Sequence, residues 1–446
     1  MSKATFIRRR TQLLAQMQAQ GGGVAVLATA HEMTRNNDNT FPFRHDSSFY
    51  YLSGFTEPEA LIVLIANGTS QQSILFCRDK NLEREIWDGF RYGPSAAKEH
   101  FGFDQAFSID ALATEMPNFL ADAVNLFHSA GSDPKLDAQM QGWLNEVHGK
   151  SRSGVLAPNK TINVHSLIDE MRLFKDTTEI ALMQKAADIS ARGHARAMRT
   201  CKPGLFEYEL EAELSYEFRR QGSQAPAYGS IVAAGANACV LHYQSNTAQI
   251  KDGDLVLIDA GCEFDSYASD ITRTFPANGK FSPAQKTLYE LVLAAQQAAL
   301  SCAHPGSRYM DGHDAAVKVL TQGMLDIGLL DKNKVGCVED AITSNAYRQF
   351  YMHGTGHWLG LDVHDVGSYR ELDKVGETRP YRKLEAGMVL TIEPGIYVRA
   401  AAGVPEQFCD IGIRIEDDIL ITADGHINLS RDTPKTVTEI ESEMKH

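Results

Sequence analysis

The sequence predicts an α+β chain in two parts: an N-terminal α/β domain over residues 1–174, and a C-terminal domain over residues 175–446 built on a repeated unit. Three observations predict it. Short β-rich runs alternate with helical periodicity as far as about Gly149. A stretch of linker composition, Ser151 to Lys160 (SRSGVLAPNK), then precedes a change of style near Phe174. Beyond it the order helix, helix, strand, strand occurs twice. A length of 446 residues suits two domains, or two and a small third.

The first element is an amphipathic helix, with Phe6, Leu13, Leu14 and Met17 on one face. Its segment is basic and free of acids but lacks the apolar core of a signal peptide, so the alternative is an organelle-targeting arm. VAVLAT (Val24 to Thr29), LIVLIA (Leu61 to Ala66) and SILFC (Ser73 to Cys77) read as strands, while Asp110 to Ala123 and Asp133 to Val147 read as helices. Two clusters, Asn36 to Tyr51 and Glu83 to Tyr92, are too aromatic for plain solvated loops; domain or subunit packing accounts for them. After a short helix from His165 to Leu173 come the periodic runs Thr178 to Thr200 and Phe206 to Gln221, then a strand pair from Leu255 to Phe275. The pattern recurs with Pro283 to Cys302, capped by Ser282, and Asp311 to Ile327, followed by strands from Met388 to Val398 and Asp410 to Thr422.

Composition narrows the function. A net charge of −14 excludes nucleic acid as the main partner, because phosphate binding needs a basic surface. The seven cysteines are scattered singly without a CxxC pair, which points to a reducing, cytoplasmic setting and away from a zinc knuckle. No apolar run has the length of a membrane span.

The chemistry begins in LVLIDAGCEFDSYASDITRTF. A turn centred between Phe264 and Asp265 sets Asp259 opposite Asp270 on one sheet face. Like charges so placed destabilise a strand pair by roughly 0.2–1 kcal/mol unless a cation sits between them. Alone, the pair also fits two ordinary acids near a turn. The second strand pair, however, supplies Glu393, just before Pro394, and Glu416, so the duplication yields four carboxylates from two hairpins. YMHGTGHWLGLDVHDVG adds His353, His357 and His364. His353 and His357 stand one helical turn apart, but Gly354 and Gly356 make a helix costly there, so an extended or looping segment is expected. Four acids and an imidazole suit two divalent ions with hard, oxygen-rich coordination: Mn²⁺ first, Co²⁺ or Zn²⁺ as alternatives. Two such ions sharing a water present hydroxide at neutral pH, and the reaction implied is hydrolysis. Arg414, two residues before Glu416 on an alternating strand, is positioned to pair with that carboxylate; an ordinary surface charge pair is the alternative.

DAGCEFDSYASDITRTF, HGTGHWLGLDVHD, TIEPGIY and GIRIEDDI, in this order, resemble the metal-dependent peptidases of pita-bread fold, which include methionine aminopeptidase, prolidase and Xaa-Pro aminopeptidase. RNNDNTFPFRHDSSFYYLSGFTEPEA and REIWDGFRYG extend the likeness to the N-terminal domain of the Xaa-Pro aminopeptidase (aminopeptidase P) group, covering nearly the whole chain. ELDKVGETRPYRKLEAG, before Met388, departs from the pattern by its length. The resemblance implies metal ligands Asp259, Asp270, His357, Glu393 and Glu416, with Asp270 and Glu416 bridging. It implies cleavage of the bond before a penultimate proline, Glu393 as general base, and His364 and His242 as donors to the oxyanion or to substrate carbonyls. His353 is then a substrate-side group; structural roles for His242 and His353 are the alternative. It also implies a homo-oligomer, a dimer or tetramer, in which Asp38 and Trp87 approach a neighbouring subunit's active site. The rivals are a prolidase restricted to Xaa-Pro dipeptides, and a non-catalytic binding protein that kept the fold.

Overall fold

The computed structural model describes residues 1–68, 70–371 and 379–445, in two compact units, Met1–Arg172 and Leu173–His446. The second unit begins two residues before the expected domain start, because Leu173 is fully buried in that unit's core.

In the first unit the helix Lys3–Ala19, capped by Ser2, buries the four predicted apolar residues and, with them, Arg9 and Arg10. Arg10 donates to Leu52 O at 2.8 Å and Phe101 O at 2.9 Å, and Arg9 lies 3.9 Å over the Tyr51 ring. These basic residues are therefore fastened into the fold, which gives them a structural role. The predicted strands fall in a six-stranded mixed sheet, where Gly23–Ala28 runs between antiparallel Leu61–Asn67 and parallel Asn125–Phe127. The two aromatic clusters divide differently. Ser47–Ser53 is a wholly buried helix, whereas the hairpin Thr34–Asn36 with Asn39–Thr40, and the helix Leu82–Asp88, bury nothing.

The second unit repeats its design. Helices Thr177–Thr200 and Glu207–Arg220 precede a sheet of Ile231–Ala234, Leu255–Asp259 and Thr272–Pro276. Helices Pro283–Leu300 and Asp311–Asp326 precede one of Val389–Ile392, Asp417–Ile421 and His426–Asn428. Capping boxes at Asp176 and Ser282 satisfy the first N–H groups of the leading helix in each half. Both helix pairs pack on the sheets through one continuous apolar core that includes Leu214, Phe218, Leu288 and Leu320.

Two corrections bear on the site. The hairpin turn lies at Asp265 and Ser266, which have φ of 51° and 70°, so Phe264 pairs with Tyr267 and Asp259 faces Thr272 rather than Asp270. Positive φ at both central residues is the signature of a type I′ two-residue turn, which here lies one residue beyond that predicted. In addition, the two predicted C-terminal strands are each broken. Val389–Ile392 resumes as Gly395–Val398, and Ile411–Arg414 as Asp417–Ile421, with Glu393 and Glu416 standing in the breaks. Pro394 has no N–H to continue the ladder. The first half breaks likewise around Gly261 and Asp270. A Cβ on Gly261 would lie 1.8 Å from Ser269 O, so only glycine lets the two chains approach there.

Candidate metal centre

The end of Leu255–Asp259 and the strand breaks at Asp270, Glu393 and Glu416 turn four carboxylates inward. Asp259, Asp270, Glu393 and Glu416 line a cavity of about 760 Å³ together with His357, His364, His353 and His242. Donor atoms of Asp270, His357 and Glu416 lie within 4.8 Å of one another. His357 Nε2 stands 3.4 Å from Asp270 Oδ2 and 3.7 Å from Glu393 Oε1. Its orientation is set from behind: Nδ1 donates to Trp358 O at 3.0 Å, leaving Nε2 to face the acids. As expected, the segment around His353 and His357 is not helical.

Asp259 and Asp270 meet through a group that no sequence pattern marks. The Tyr228 hydroxyl lies 2.6 Å from Asp259 Oδ1 and 2.5 Å from Asp270 Oδ1. Tyr228 stands alone in APAYGS, with no spacing signal. Thr272 was visible in principle, since it shares a strand face with Thr274; its hydroxyl donates to Glu416 Oε2 at 2.6 Å. Asp418, also unanticipated, accepts the Asp270 N–H at 3.2 Å through its carboxylate.

Arg414 requires correction. Its Nη2 pairs with Asp259 Oδ2 at 2.7 Å, not with Glu416, because the strand ends at Arg414 and the alternation that predicted a shared face stops there. Nη1 donates to Tyr397 Oη at 2.8 Å, which lies 2.8 Å from His353 Nε2. With Nδ1 donating to Gly354 O, His353 accepts the Tyr397 proton, and the chain runs Arg414, Tyr397, His353. His364 lies flat on His357, ring centroids 3.9 Å apart and planes at 11°. His242 is exposed at the cavity wall.

Burial and charge act unequally on these groups. Burial raises Asp259 and lifts Glu416 far above the usual carboxylate range, and it raises Glu393 to about 7. Burial also acts on Asp270, but the His357 hydrogen bond and charge outweigh it and lower that group. His357 rises to about 9 because its bond to Asp270 and the nearby Glu393 charge overcome burial. Burial and the neighbouring Arg414 hold His353 neutral, down to about 3. One oriented imidazole among converging oxygen donors fits hard divalent ions.

Asp38 and Trp87 belong to the first unit. Asp38 is exposed in the turn of its hairpin, and Trp87 is 83% exposed on the helix Leu82–Asp88. Of the long segment before Met388, residues 372–378 lie outside those described.

Comparison with known proteins agrees in extent. Residues 181–423 match metallopeptidase family M24, and residues 6–127 match the aminopeptidase P N-terminal domain. The chain is 44% identical to Xaa-Pro aminopeptidase of Escherichia coli, covering 100% of this chain and 98% of the relative. It is 33% identical to human Xaa-Pro aminopeptidase 3 over 99% of this chain and 86% of the relative. Among solved structures, Pseudomonas aeruginosa aminopeptidase PepP superposes with a TM-score of 0.95 at 47% identity, covering 100% and 98% of the two chains. A substrate complex of an E. coli aminopeptidase P variant superposes at 0.94 with 43% identity and the same coverage.

Proposed function

The chain belongs to metallopeptidase family M24, with an aminopeptidase P N-terminal domain, and from that premise we propose how its cavity removes the residue before a penultimate proline. It is a metal-dependent Xaa-Pro aminopeptidase, a hydrolase acting on peptides with proline in second position. The observation that carries this reading is the convergence of five ligand-type residues on one cavity within full-length likeness to Xaa-Pro aminopeptidases.

In our reading Asp259, Asp270, His357, Glu393 and Glu416 hold two divalent ions, with Mn²⁺ favoured by the oxygen-rich set and Co²⁺ or Zn²⁺ as alternatives. When bound, such ions polarise a carbonyl and lower the pKa of a coordinated water. Glu393 takes up the proton released as the nucleophile forms, from its place on the cavity wall beside Asp270 and His357. His364 and His242, on the cavity wall, hydrogen-bond the substrate carbonyl oxygens as charge develops there. His353, neutral and held by Tyr397, is a wall for the substrate rather than a proton donor. Arg414 acts through Asp259, keeping that carboxylate ionised beside the substrate amine, and so is a positioning residue.

Proline selectivity has a physical basis. The Xaa-Pro amide nitrogen bears no hydrogen, so the site needs no acceptor there and instead closes around the ring. A homo-oligomer, dimer or tetramer, in which Asp38 and Trp87 reach a neighbouring subunit's site, is supported by the exposed apolar side chains Leu82, Ile86, Trp87 and Phe90. A cytoplasmic setting is supported by seven unpaired cysteines. The test is the turnover of Xaa-Pro-Yaa, Xaa-Pro and Xaa-Ala-Yaa peptides. We expect hydrolysis of the first alone at high rate; activity confined to Xaa-Pro dipeptides would make the enzyme a prolidase, and none on any would leave a binding protein.

A further inference from the structure

His364 stands on a segment without regular structure, Trp358 to Gly367, yet its ring is stacked on His357. An irregular loop keeps such a geometry only if contacts beneath it fix the backbone. Here they converge on one ion pair. Lys175 Nζ lies 2.9 Å from Asp365 Oδ2, both side chains 1% exposed. Asp365 follows His364 directly; its N–H donates to Trp358 O at 2.9 Å, and its Oδ1 accepts the Asp362 N–H at 3.4 Å. Lys175 is itself held, its N–H donating to Gly387 O at 2.8 Å. Gly360 closes the other side: a Cβ there would stand 2.2 Å from Asp365 Oδ2 and 2.9 Å from Lys175 Cε. Gly360 O in turn accepts from Ala268 N at 2.8 Å, two residues before Asp270.

A buried ion pair is a poor device for stability alone, since apolar residues of like volume serve as well or better. What it adds is direction. We propose that Lys175 and Asp365 are positioning residues of the reaction: their pair fixes the loop so that the His364 imidazole stays stacked on His357 and aimed at the substrate carbonyl. Neither residue lines the cavity. The inference rests on the reading of His364 given above.

The test uses the full-length, Mn²⁺-loaded enzyme with single variants Asp365→Asn and Lys175→Met, the charge-free double variant Lys175→Met/Asp365→Leu, and His364→Ala. Each is measured for kcat, KM, Mn²⁺ affinity and melting temperature. We expect both single variants to lose about 10–100-fold in kcat with KM changed by no more than about twofold and Mn²⁺ affinity retained within a few-fold. The double variant should regain the wild-type melting temperature without regaining kcat, which separates positioning from mere stability. Wild-type kcat in the double variant, with His364→Ala impaired, overturns the pair's role while leaving that of His364 intact. Full activity in His364→Ala overturns the reading of His364, and the pair's role with it.

Discussion

Raising the pH from about 6.5 to about 8.5 should tighten metal binding far more than ordinary ligands allow. Without metal, His357 holds a proton up to about 9 because it is bonded to Asp270, and Glu393 holds one up to about 7. Both must leave before Nε2 and the carboxylate can serve a cation. Competition by a proton scales as 1 + 10^(pKa − pH), so over this interval His357 alone contributes about 80-fold, and Glu393, which titrates coupled to it, acts in the same direction. A histidine at its ordinary value with an ordinary carboxylate gives about twofold. Calorimetry of Mn²⁺ binding in buffers of different ionisation enthalpy measures both the affinity and the protons released. Release of one or more protons per site at about pH 7.5 is expected. A nearly flat affinity, or no release, would refute the placement of the proton on His357. The linked stability has a definite sign. Both folded-state pKa values lie above the ordinary ones, so their contribution to the metal-free protein is full at low pH. It is lost as pH rises through about 7 for Glu393 and about 9 for His357. His353, depressed to about 3, works oppositely on the acid side, costing stability below its ordinary value.

Other consequences are open to direct measurement. Glu393→Gln should lower kcat by about 10²–10⁴-fold while the chain still binds metal in a titration; unchanged turnover rules out a general-base role. Arg414→Met leaves Asp259 buried without its cation and should destabilise the metal-free protein by about 3–5 kcal/mol in urea, less once metal supplies positive charge; equal losses with and without metal would speak against that pairing. Ser266→Gly removes the cost of a left-handed serine in the hairpin turn and should raise stability by up to about 1 kcal/mol without altering kcat, read from the urea midpoint. Chelation should loosen the amides of residues 259–275 first in hydrogen exchange, and equal protection with and without metal would count against a cation in this hairpin.

The periodicities that sequence carries well were those of long elements. Thr177–Thr200 and Pro283–Leu300 were legible because each has an N-cap, an apolar face and several turns over which the signal accumulates. Strand pairs were legible as pairs but not in register. A one-residue error in the turn at Asp265 and Ser266 moves every partner across the ladder, and nothing in DSYASD announces which two residues take positive φ. The same limit explains Arg414. Alternation along IGIRIEDDI joins Arg414 to Glu416 only while the strand continues, and the break between Arg414 and Asp417 sends the guanidinium to Asp259. Tyr228 was not legible at all, because one phenol bridging two acids from another loop leaves no local pattern.

The strand breaks that defeated the pattern reading are also what makes the cavity work. A carboxylate within a regular strand points across the sheet face, at a spacing fixed by the pleat. One at a break is free of the ladder, and its side chain can converge with others from different strands. Asp259 closes a strand, Asp270 stands between two short ones, and Glu393 and Glu416 stand opposite each other where both C-terminal strands break. Each half thus contributes a pair of acids through the same device, although the devices differ chemically: a close approach at Gly261 in one, Pro394 in the other. Convergence of this kind is costly without cations, and the metal-free site meets the cost locally, with a proton on His357, raised acids, the Tyr228 hydroxyl and Arg414. These compensations are not equal in kind. Arg414 and Tyr228 need not leave when metal binds, whereas the protons of His357 and Glu393 must, and this makes those two residues rather than the acid-pairing groups the place where pH and metal compete.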